Sequence, residues 1–288
     1  MRTRIRTAAV GIPLFFVLDF AGGGEGLAVA ALLVGLGGVL ELFRAAGLEG
    51  ERPAVALTTT AVVLCLLGAW WPDLVPSPWL SGLLTALLIG LFCSELRRAT
   101  PRPARVLGAA LLGAAYLGWL LSFVLHLRRL GAMAEVSPWV EAQPYAPWAV
   151  MTVFVVTWAT DTFAYFAGRG YGRRKLAPHL SPGKTVEGAL GGLAGAVASA
   201  LVMGTWTGLG QPRDLWGTVA LHSLALGLLL GIAAQAGDLF ASSLKREWGV
   251  KDFGGLLPGH GGLLDRFDSL LFTAPIAYYY LTLVVGLR

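Results

Sequence analysis

Long apolar stretches recur along this chain, and each is long enough to cross a lipid bilayer as a helix of about 20 residues. Nine such stretches are visible, at residues 7–24, 27–46, 54–71, 79–96, 106–127, 147–168, 188–207, 217–240 and 267–287. Only 14% of the 288 residues are charged, whereas a soluble domain has about 25% charged residues. The chain is therefore predicted to fold as an all-α, polytopic membrane helical bundle with about nine transmembrane helices.

No internal repeat or low-complexity linker divides the sequence, so residues 1–288 are predicted to form a single integral membrane domain. Residues 1–150 supply about five N-terminal spans. Residues 151–288 supply the helices expected to carry the chemistry, with two polar motif loops at 169–187 and 238–268. The first span, 7–24, is short and is interrupted by Asp19, so it also resembles a signal peptide. Because a second span follows it directly, we predict a membrane helix.

The distribution of basic residues predicts the orientation of the spans, because cytoplasmic loops are enriched in Lys and Arg. With nine spans and a cytoplasmic N-terminus, only four of the 22 basic residues fall outside: Arg128, Arg129, Arg213 and Arg288. We therefore expect a multi-pass protein of the inner (cytoplasmic) membrane, with both motif loops cytoplasmic. The net charge of +5 is explained by this bias, and no nucleic-acid partner is expected.

The two motif loops combine glycines, cations and carboxylates, a mixture that suggests phosphate and metal binding. If span eight continues helically past Asp238, then Asp238, Ser242 and Lys245 share one face; Asp265 and Asp268 share a face at the start of span nine. Mg²⁺ prefers carboxylate oxygens and leaves room for substrate phosphates, so two aspartates on different helix ends could hold it. The alternative is that each aspartate caps a helix or pairs with a neighbouring Arg.

Asp161 lies within span six, where an unpaired carboxylate is costly. We expect it to face a polar cavity or a cation; a protonated hydrogen bond between helices is the alternative. Three other acidic residues lie near span ends without motif neighbours: Glu41, Glu95 and Asp19. These are expected to pair with a nearby arginine: Arg44, Arg97 or Arg98.

Residues 183–185, Gly-Lys-Thr, match half of a phosphate-binding loop. The full pattern needs a glycine where this chain has Pro178, and no strand is expected before the segment, so the loop is not of that type. Glycine-rich backbone opening a helix at Glu187 and Gly188 remains a reasonable anion site. His260, between two glycines, could bind phosphate, act as an acid or make a structural hydrogen bond.

Two runs of residues resemble the signature of the phosphatidate cytidylyltransferase family, the CDP-diacylglycerol synthases. The longer reads Lys-Arg-x₄-Lys-Asp-x-Gly-x₃-Pro-Gly-His-Gly-Gly-x₂-Asp-Arg-x-Asp from Lys245 to Asp268. The earlier run contains Asp161-x₂-Ala-Tyr, Gly168-Arg169, Lys175-Leu176 and Ser181-Pro182-x-Lys184-Thr185-x-Glu187-Gly188. The resemblance covers about residues 158–275.

The resemblance implies a membrane enzyme that joins CTP and phosphatidic acid to give CDP-diacylglycerol and pyrophosphate. It also implies nine spans, a homodimer, and Mg²⁺ dependence with K⁺ as a possible second cation. Asp238 and Asp265 are then the metal aspartates, with Asp268 and Asp161 as second choices. The chain departs from the family pattern at Ala241, Val186 and Arg173, where Glu, Trp and Lys are usual.

Roles for the remaining site residues follow from the need to bring two anions together. Five cations are expected to bind phosphates: Lys184, Lys245, Arg246, Lys251 and Arg266. Five further residues are expected to help bind or position the substrates: Arg169, Lys175, Ser181, Thr185 and His260. The lipid tails would stay in the bilayer and enter sideways between helices.

Two other functions fit parts of the same pattern. A transporter would use broken glycine-rich helices and buried acids, but its site would lie near the midplane, and no inverted repeat is visible here. A related CTP-dependent polyprenol kinase would transfer only the γ-phosphate. The fate of the cytosine distinguishes the kinase from the synthase.

Overall fold

The computed structural model describes residue 11 and residues 13–96, 102–130, 145–207, 217–255 and 261–286, and helices dominate these segments. In chain order the helices are α1 (13–20), α2 (Glu25–Ala45), α3 (Arg52–Trp70), α4 (Ser77–Leu96), α5 (Pro103–Gly113), α6 (Leu121–Arg129), α7 (Tyr145–Tyr171), α8 (Val186–Thr207), α9 (Gly217–Glu247) and α10 (Leu264–Tyr279). A π-helical stretch, Ala114–Leu120, joins α5 to α6, and another, Tyr280–Val284, follows α10.

Eight helices among the described residues are long and apolar enough to cross a membrane. They coincide with the second to ninth predicted spans, since α5, the π-helical stretch and α6 together form the fifth. The predicted all-α, polytopic architecture is thereby confirmed. Most of the first predicted span lies outside the described residues, apart from Gly11 and α1.

The chain divides into two compact units, each built from two stretches of sequence. The first contains Met1–His126 and Lys245–Phe267, and the second contains Leu127–Leu244 and Asp268–Arg288. The sequence predicts a single membrane domain with about five spans in residues 1–150, and this stays a prediction.

Glycines bring the helices of the first unit close together. A Cβ on Gly38 of α2 would lie 2.7 Å from Leu117 in the π-helical stretch, and one on Gly35 would lie 2.9 Å from Val62 of α3. Such small residues let membrane helices approach without a large hydrophobic driving force. Leu117 and Val62 are fully buried at these contacts, so this is where the unit has its core.

In the second unit, α8 packs along α7 through a row of glycines. A Cβ on Gly191 would overlap the Cβ of Ala167, and one on Gly195 would lie 2.6 Å from the ring of Phe163. On α9, a Cβ on Gly227 would lie 2.8 Å from the Cα of Val197 in α8. The glycine content of the chain therefore has a packing function in both units.

A short antiparallel hairpin precedes α8, and the sequence did not predict it. Strand β1 (Lys175–Ala177) pairs with β2 (Ser181–Thr185), and Lys175 lies opposite Thr185. Pro178 and Pro182 lack the N–H that a helix interior requires, so helix α7 cannot continue through this segment. The expectation that no strand precedes residues 183–185 was wrong, because β1 ends at Ala177 and β2 begins at Ser181.

The second motif loop is shorter than predicted, because α9 continues past Asp238 as far as Glu247. This confirms the helical continuation on which the shared face of Asp238, Ser242 and Lys245 depended. The helix ends in a Schellman motif: Gly249 has φ +70°, its N–H donates to Arg246 O, and Val250 N–H donates to Lys245 O at 2.9 Å.

Candidate active site

A cavity of about 380 Å³ in the second unit brings together polar side chains from three elements of its longer stretch, 127–244. Helix α7 contributes Asp161 and Arg169, strand β2 contributes Lys184 and Thr185, and α9 contributes Asp238. The sequence predicted all five as site residues. Their shared cavity is a finding of the structure, since α7 and α9 are far apart in the sequence.

Lys184 and Asp238 form an ion pair inside this cavity. The Lys184 Nζ lies 2.6 Å from Asp238 Oδ2, and the two side chains are 24% and 36% exposed. The approach brings the charges together without the angle of a good hydrogen bond. One alternative from the sequence was that each aspartate pairs with a neighbouring arginine. Asp238 does have a cationic partner, but that partner is Lys184.

The polar side chains that α7 contributes to the cavity are exposed at the protein surface. Asp161 is exposed and lines the cavity, as expected for a carboxylate within an apolar span. Arg169 Nη1 donates a hydrogen bond to Tyr165 Oη at 2.9 Å, so the guanidinium is oriented one helical turn from Tyr165. Of the other predicted residues in this segment, Lys175 is exposed at the start of β1 and Ser181 is half-buried at the start of β2.

The start of α8 is fixed by two side chains that flank its first residue. Thr185 Oγ1 accepts the N–H of Gly188 at 3.1 Å and so caps the helix. Glu187 Oε2 accepts the N–H groups of Arg173 at 2.9 Å and Arg174 at 3.2 Å. The predicted anion site at this helix start therefore has one amide, that of Gly188, already engaged by its own cap.

The helix start also explains glycines of the first motif segment. A Cβ on Gly188 would lie 2.9 Å from Ala164 O, and one on Gly172 would lie 2.8 Å from Thr185 Cγ2. Neither contact leaves room for a side chain. Gly172 and Gly188 thus let α7, the hairpin and α8 meet behind the cavity.

In the first unit, Asp265 is held by three donors. Lys245 Nζ lies 2.6 Å from Asp265 Oδ1, while the N–H groups of Phe253 and Gly262 donate to Oδ2 at 2.9 Å and 3.0 Å. The side chains of Asp265 and Lys245 are 5% and 13% exposed. Lys245 Nζ also lies 5.3 Å from the centroid of the Phe253 ring, a cation–π contact.

Glu41 of α2 contacts the same segment, and the sequence interpretation of this residue was wrong. It was expected to pair with an arginine near the end of its span. Instead it is buried, and its Oε2 accepts the N–H of Leu264 at 3.0 Å. A charged residue in an apolar span was the only signal in the sequence, and it gave no indication of the partner. Glu95, of the same group, accepts the N–H of Arg102 at 3.2 Å, whereas Arg97 and Arg98 lie outside the described residues.

Asp268, a second choice for metal binding, is buried in the second unit. Its Oδ1 accepts the N–H of Ser269 at 2.7 Å and lies 3.3 Å from the Ser269 hydroxyl. Asp268 O is also close to Gly237, where a Cβ would lie 2.6 Å away. The backbone at Asp268 therefore packs closely against Gly237, the residue before Asp238.

The remaining predicted phosphate-binding residues are distributed on the surface. Arg246, Lys251 and Arg266 are all exposed. His260 lies outside the described residues, so its proposed contacts stay a prediction.

The donor chemistry suits Mg²⁺, which is usually bound through one or two carboxylates together with substrate phosphates. Asp238 and Asp265 each offer a carboxylate that already attracts a cation, the ammonium group of a lysine. Among the described residues, no group of three or more His, Cys, Asp or Glu side chains could hold a metal ion. The two aspartates belong to different units, and their binding of one Mg²⁺ stays a prediction.

The fold and these cation–carboxylate pairs define a class: a multi-pass helical membrane protein with charged groups suited to anionic substrates. The sequence model of the cytidylyltransferase family matches residues 2–284, and the chain belongs to that family. The resemblance noted in the two motif segments is thereby confirmed.

Curated relatives carry a more specific name. The chain is 36% identical to the phosphatidate cytidylyltransferase of Synechocystis sp., over 98% of this chain and 97% of that protein. It is 39% identical to the phosphatidate cytidylyltransferase of Bacillus subtilis, over 61% of this chain and 58% of that protein. The enzyme of the same name from Brucella abortus is 45% identical over 48% of each chain.

Proposed function

We propose that this protein transfers CMP from CTP to phosphatidic acid, giving CDP-diacylglycerol and pyrophosphate. The observation that carries the proposal is the end-to-end similarity to the Synechocystis enzyme, 36% identity over 98% of this chain. Membership of the cytidylyltransferase family supports the nucleotide chemistry. The membrane-spanning helices suit a substrate that is anchored in a lipid bilayer.

The transfer forms one bond and breaks one bond. A phosphate oxygen of phosphatidic acid attacks the α-phosphorus of CTP. The bond from that phosphorus to the oxygen bridging to the β-phosphate breaks, and pyrophosphate leaves with the electron pair. The second pKa of a phosphomonoester is about 6, so the attacking phosphate is largely ionised near neutral pH and needs no strong general base.

The difficulty is the mutual repulsion of two anions, and the proposed roles of the residues address it. Asp238 and Asp265 are the proposed Mg²⁺ ligands, with K⁺ as a possible second cation. When held by these carboxylates, Mg²⁺ would neutralise charge on the nucleotide phosphates and stabilise the charge that develops in the transition state. Lys184 and Lys245, each 2.6 Å from one of these carboxylates, are placed to turn from the carboxylate to a phosphate oxygen.

Other cations and the cavity in the second unit complete the proposed substrate contacts. Arg169, oriented by Tyr165, and Lys184 face the same cavity as Asp161, so an anionic headgroup there would meet two cations. Arg246, Lys251 and Arg266 are exposed, so nucleotide phosphates can reach them from the aqueous side. The acyl chains remain in the bilayer.

The setting of the reaction is also part of the proposal. The protein is proposed to act as a homodimer in the bacterial inner membrane. Its N-terminus and both motif segments would face the cytoplasm, where CTP is available.

Position-specific labels in CTP test the proposed function directly. Purified protein is incubated with phosphatidic acid, Mg²⁺ and CTP labelled either in the cytosine or in the γ-phosphate. The proposal predicts cytosine label in the lipid and γ label in released pyrophosphate. Label from the γ-phosphate in a lipid product, as a polyprenol kinase would give, or solute uptake without any transfer, would overturn it.

A further inference from the structure

We propose that Glu41 is a positioning residue for the transfer reaction, acting through the backbone that holds Asp265. The proposal rests on the proposed function for its kinetic consequences. It rests on geometry within the first unit alone for its structural basis.

Glu41 and Asp265 bind neighbouring parts of one backbone segment. Asp265 Oδ2 accepts the N–H groups of Phe253 and Gly262. Glu41 Oε2 accepts the N–H of Leu264, the residue directly before Asp265. The carboxylate of Glu41 also contacts Gly262 and Gly254, and Gly254 directly follows Phe253. Of the two N–H groups that orient Asp265, that of Gly262 belongs to a residue that touches Glu41, and that of Phe253 is next to one.

The two glycines are required by the size of the Glu41 carboxylate. A Cβ on Gly262 would lie 2.5 Å from Glu41 Oε2 and 2.8 Å from its Cδ, and one on Gly254 would lie 2.6 Å from the Cδ. These separations are shorter than any normal contact between carbon and its neighbours. The backbone therefore lies directly against the carboxylate, with no room for a side chain between them.

Burial of a carboxylate here is costly, and the hydrogen bond from the Leu264 N–H offsets part of that cost. Glu41 is only 1% exposed, and its Oε1 has no hydrogen-bond partner among the described residues. Leu264 is the first residue of α10, so its N–H has no acceptor within the helix. Glu41 supplies that acceptor from another helix, and its negative charge is favourable at a helix N-terminus. An apolar side chain of the same size could fill the space but could not accept the hydrogen bond.

Substitution of Glu41 is therefore expected to misplace Asp265, while Arg169 and Lys184 keep their own partners, Tyr165 and Asp238. In Glu41→Ala, the Leu264 N–H loses its acceptor and the glycines lose the surface against which they pack. A displacement of about 1 Å at a reacting group can cost about 100-fold in rate. We expect kcat to fall about 10- to 100-fold with little change in KM for phosphatidic acid. Glu41→Gln keeps the size and one acceptor oxygen, so its kcat should stay within about threefold of wild type.

A double-mutant cycle tests the contact between Glu41 and Gly262. Gly262→Ala places a methyl group against the carboxylate and should lower kcat severely in the wild-type background. Glu41→Ala removes the opposing group, so the same Gly262→Ala substitution should cost at least tenfold less there. Additive effects of the two substitutions on kcat would show that Glu41 and Gly262 are not energetically coupled.

Glu95→Ala is the matched control, because Glu95 is another buried acid near a span end that accepts a backbone N–H. It should leave kcat and KM near wild type. Hydrogen exchange of peptides containing Phe253, Gly262 and Leu264 supplies a measurement that needs no activity. Exchange there should be faster in Glu41→Ala, and unchanged in Glu41→Gln and Glu95→Ala.

The outcomes separate this inference from the proposed function. If wild-type protein transfers no CMP, the proposed function fails, and hydrogen exchange alone then decides whether Glu41 orders the segment. If wild type is active, three results overturn the positioning role: normal kcat in Glu41→Ala, equal losses in Glu41→Gln and Glu41→Ala, or a loss explained entirely by less folded protein.

Discussion

Water reaches the two lysine–aspartate pairs to different extents, although both have the same N–O distance of 2.6 Å. The Lys245 and Asp265 side chains are 13% and 5% exposed, whereas those of Lys184 and Asp238 are 24% and 36% exposed. Removing one partner of a buried pair leaves an uncompensated charge in a poorly solvated place, while an exposed partner is solvated by water. The pairs should therefore respond differently to the loss of their lysine.

Replacing each lysine by methionine tests this difference. Lys245→Met should lower the free energy of unfolding by about 3 kcal/mol, because Asp265 remains buried with only its two amide donors. Lys184→Met should cost less than about 1 kcal/mol, because solvent reaches Asp238. Denaturant titration in detergent micelles measures both values. A cost for Lys184→Met equal to or larger than that for Lys245→Met would contradict this interpretation.

The cap at the start of α8 gives a second prediction at this scale. Thr185→Val removes the acceptor for the Gly188 N–H and should lower the free energy of unfolding by about 1 kcal/mol. Thr185→Ser keeps the hydroxyl and should retain most of that stability. The same denaturant titration compares them, and equal stability of Thr185→Val and wild type would show that the cap is not needed.

Site residues were predictable where the chemistry lies within a motif and were missed where it comes from elsewhere. The motif segments supplied Asp161, Lys184 and Asp238, which line one cavity. Glu41 lies 223 positions from Leu264, and nothing in the residues around either one indicates the contact. Because the partner is a backbone N–H, no charge of opposite sign marks it in the sequence.

At the scale of the elements, the spans were predictable because about 20 consecutive apolar residues have few alternatives to a membrane helix. The hairpin was not, because its strands are short and show no alternation of polar and apolar residues. The extent of α9 was underestimated for a related reason. Charged residues at 245–247 suggested a loop, but Lys, Arg and Glu are good helix formers, and the chain turns only at Gly249.

The glycine row between α7 and α8 gives a prediction about helix packing. Gly191→Ala would place its methyl group on that of Ala167, which cannot rotate away, so the two helices must separate. We expect the free energy of unfolding to fall by about 1–3 kcal/mol, the usual cost of overpacking. Unfolding in detergent, followed against both temperature and denaturant concentration, measures the change in the free energy of unfolding.

Gly108→Ala is the matched control, because Gly108 lies in α5 and no atom of the described residues is within 4 Å of a Cβ built on it. Alanine favours a helix over glycine by about 1 kcal/mol, so this variant should be as stable as wild type or more stable. Equal effects of Gly191→Ala and Gly108→Ala would mean that the row has no packing function.

At the scale of the whole molecule, the predicted topology places the basic segments in the cytoplasm. Single cysteines test it in a background that lacks Cys65 and Cys93. Cysteines at Arg173 and Lys251, both exposed, should react with a membrane-impermeant maleimide only after spheroplasts are permeabilised. A cysteine at Asp73, between α3 and α4, should react in intact spheroplasts. Labelling of position 173 or 251 from outside would contradict the topology.

The sequence predicted the membrane class and the family of the whole chain, but not its division into compact units. Each unit is assembled from two stretches of sequence, and the three boundaries fall inside α6, α9 and α10. Continuous helices give no signal of such a boundary. Composition alone could therefore not reveal it.

The central claim is that acidic side chains hold the Mg²⁺ that allows two anionic substrates to react. CMP incorporation into phosphatidic acid, measured across Mg²⁺ concentrations for wild type, Asp238→Asn and Asp265→Asn, tests it most directly. Glu247→Gln, an exposed acid at the end of α9, is the control. We predict no transfer without Mg²⁺ and a loss of at least about 100-fold in each aspartate variant, equivalent to about 2.7 kcal/mol. Transfer that persists in a chelator, or near-normal rates in folded Asp238→Asn or Asp265→Asn, would contradict the account.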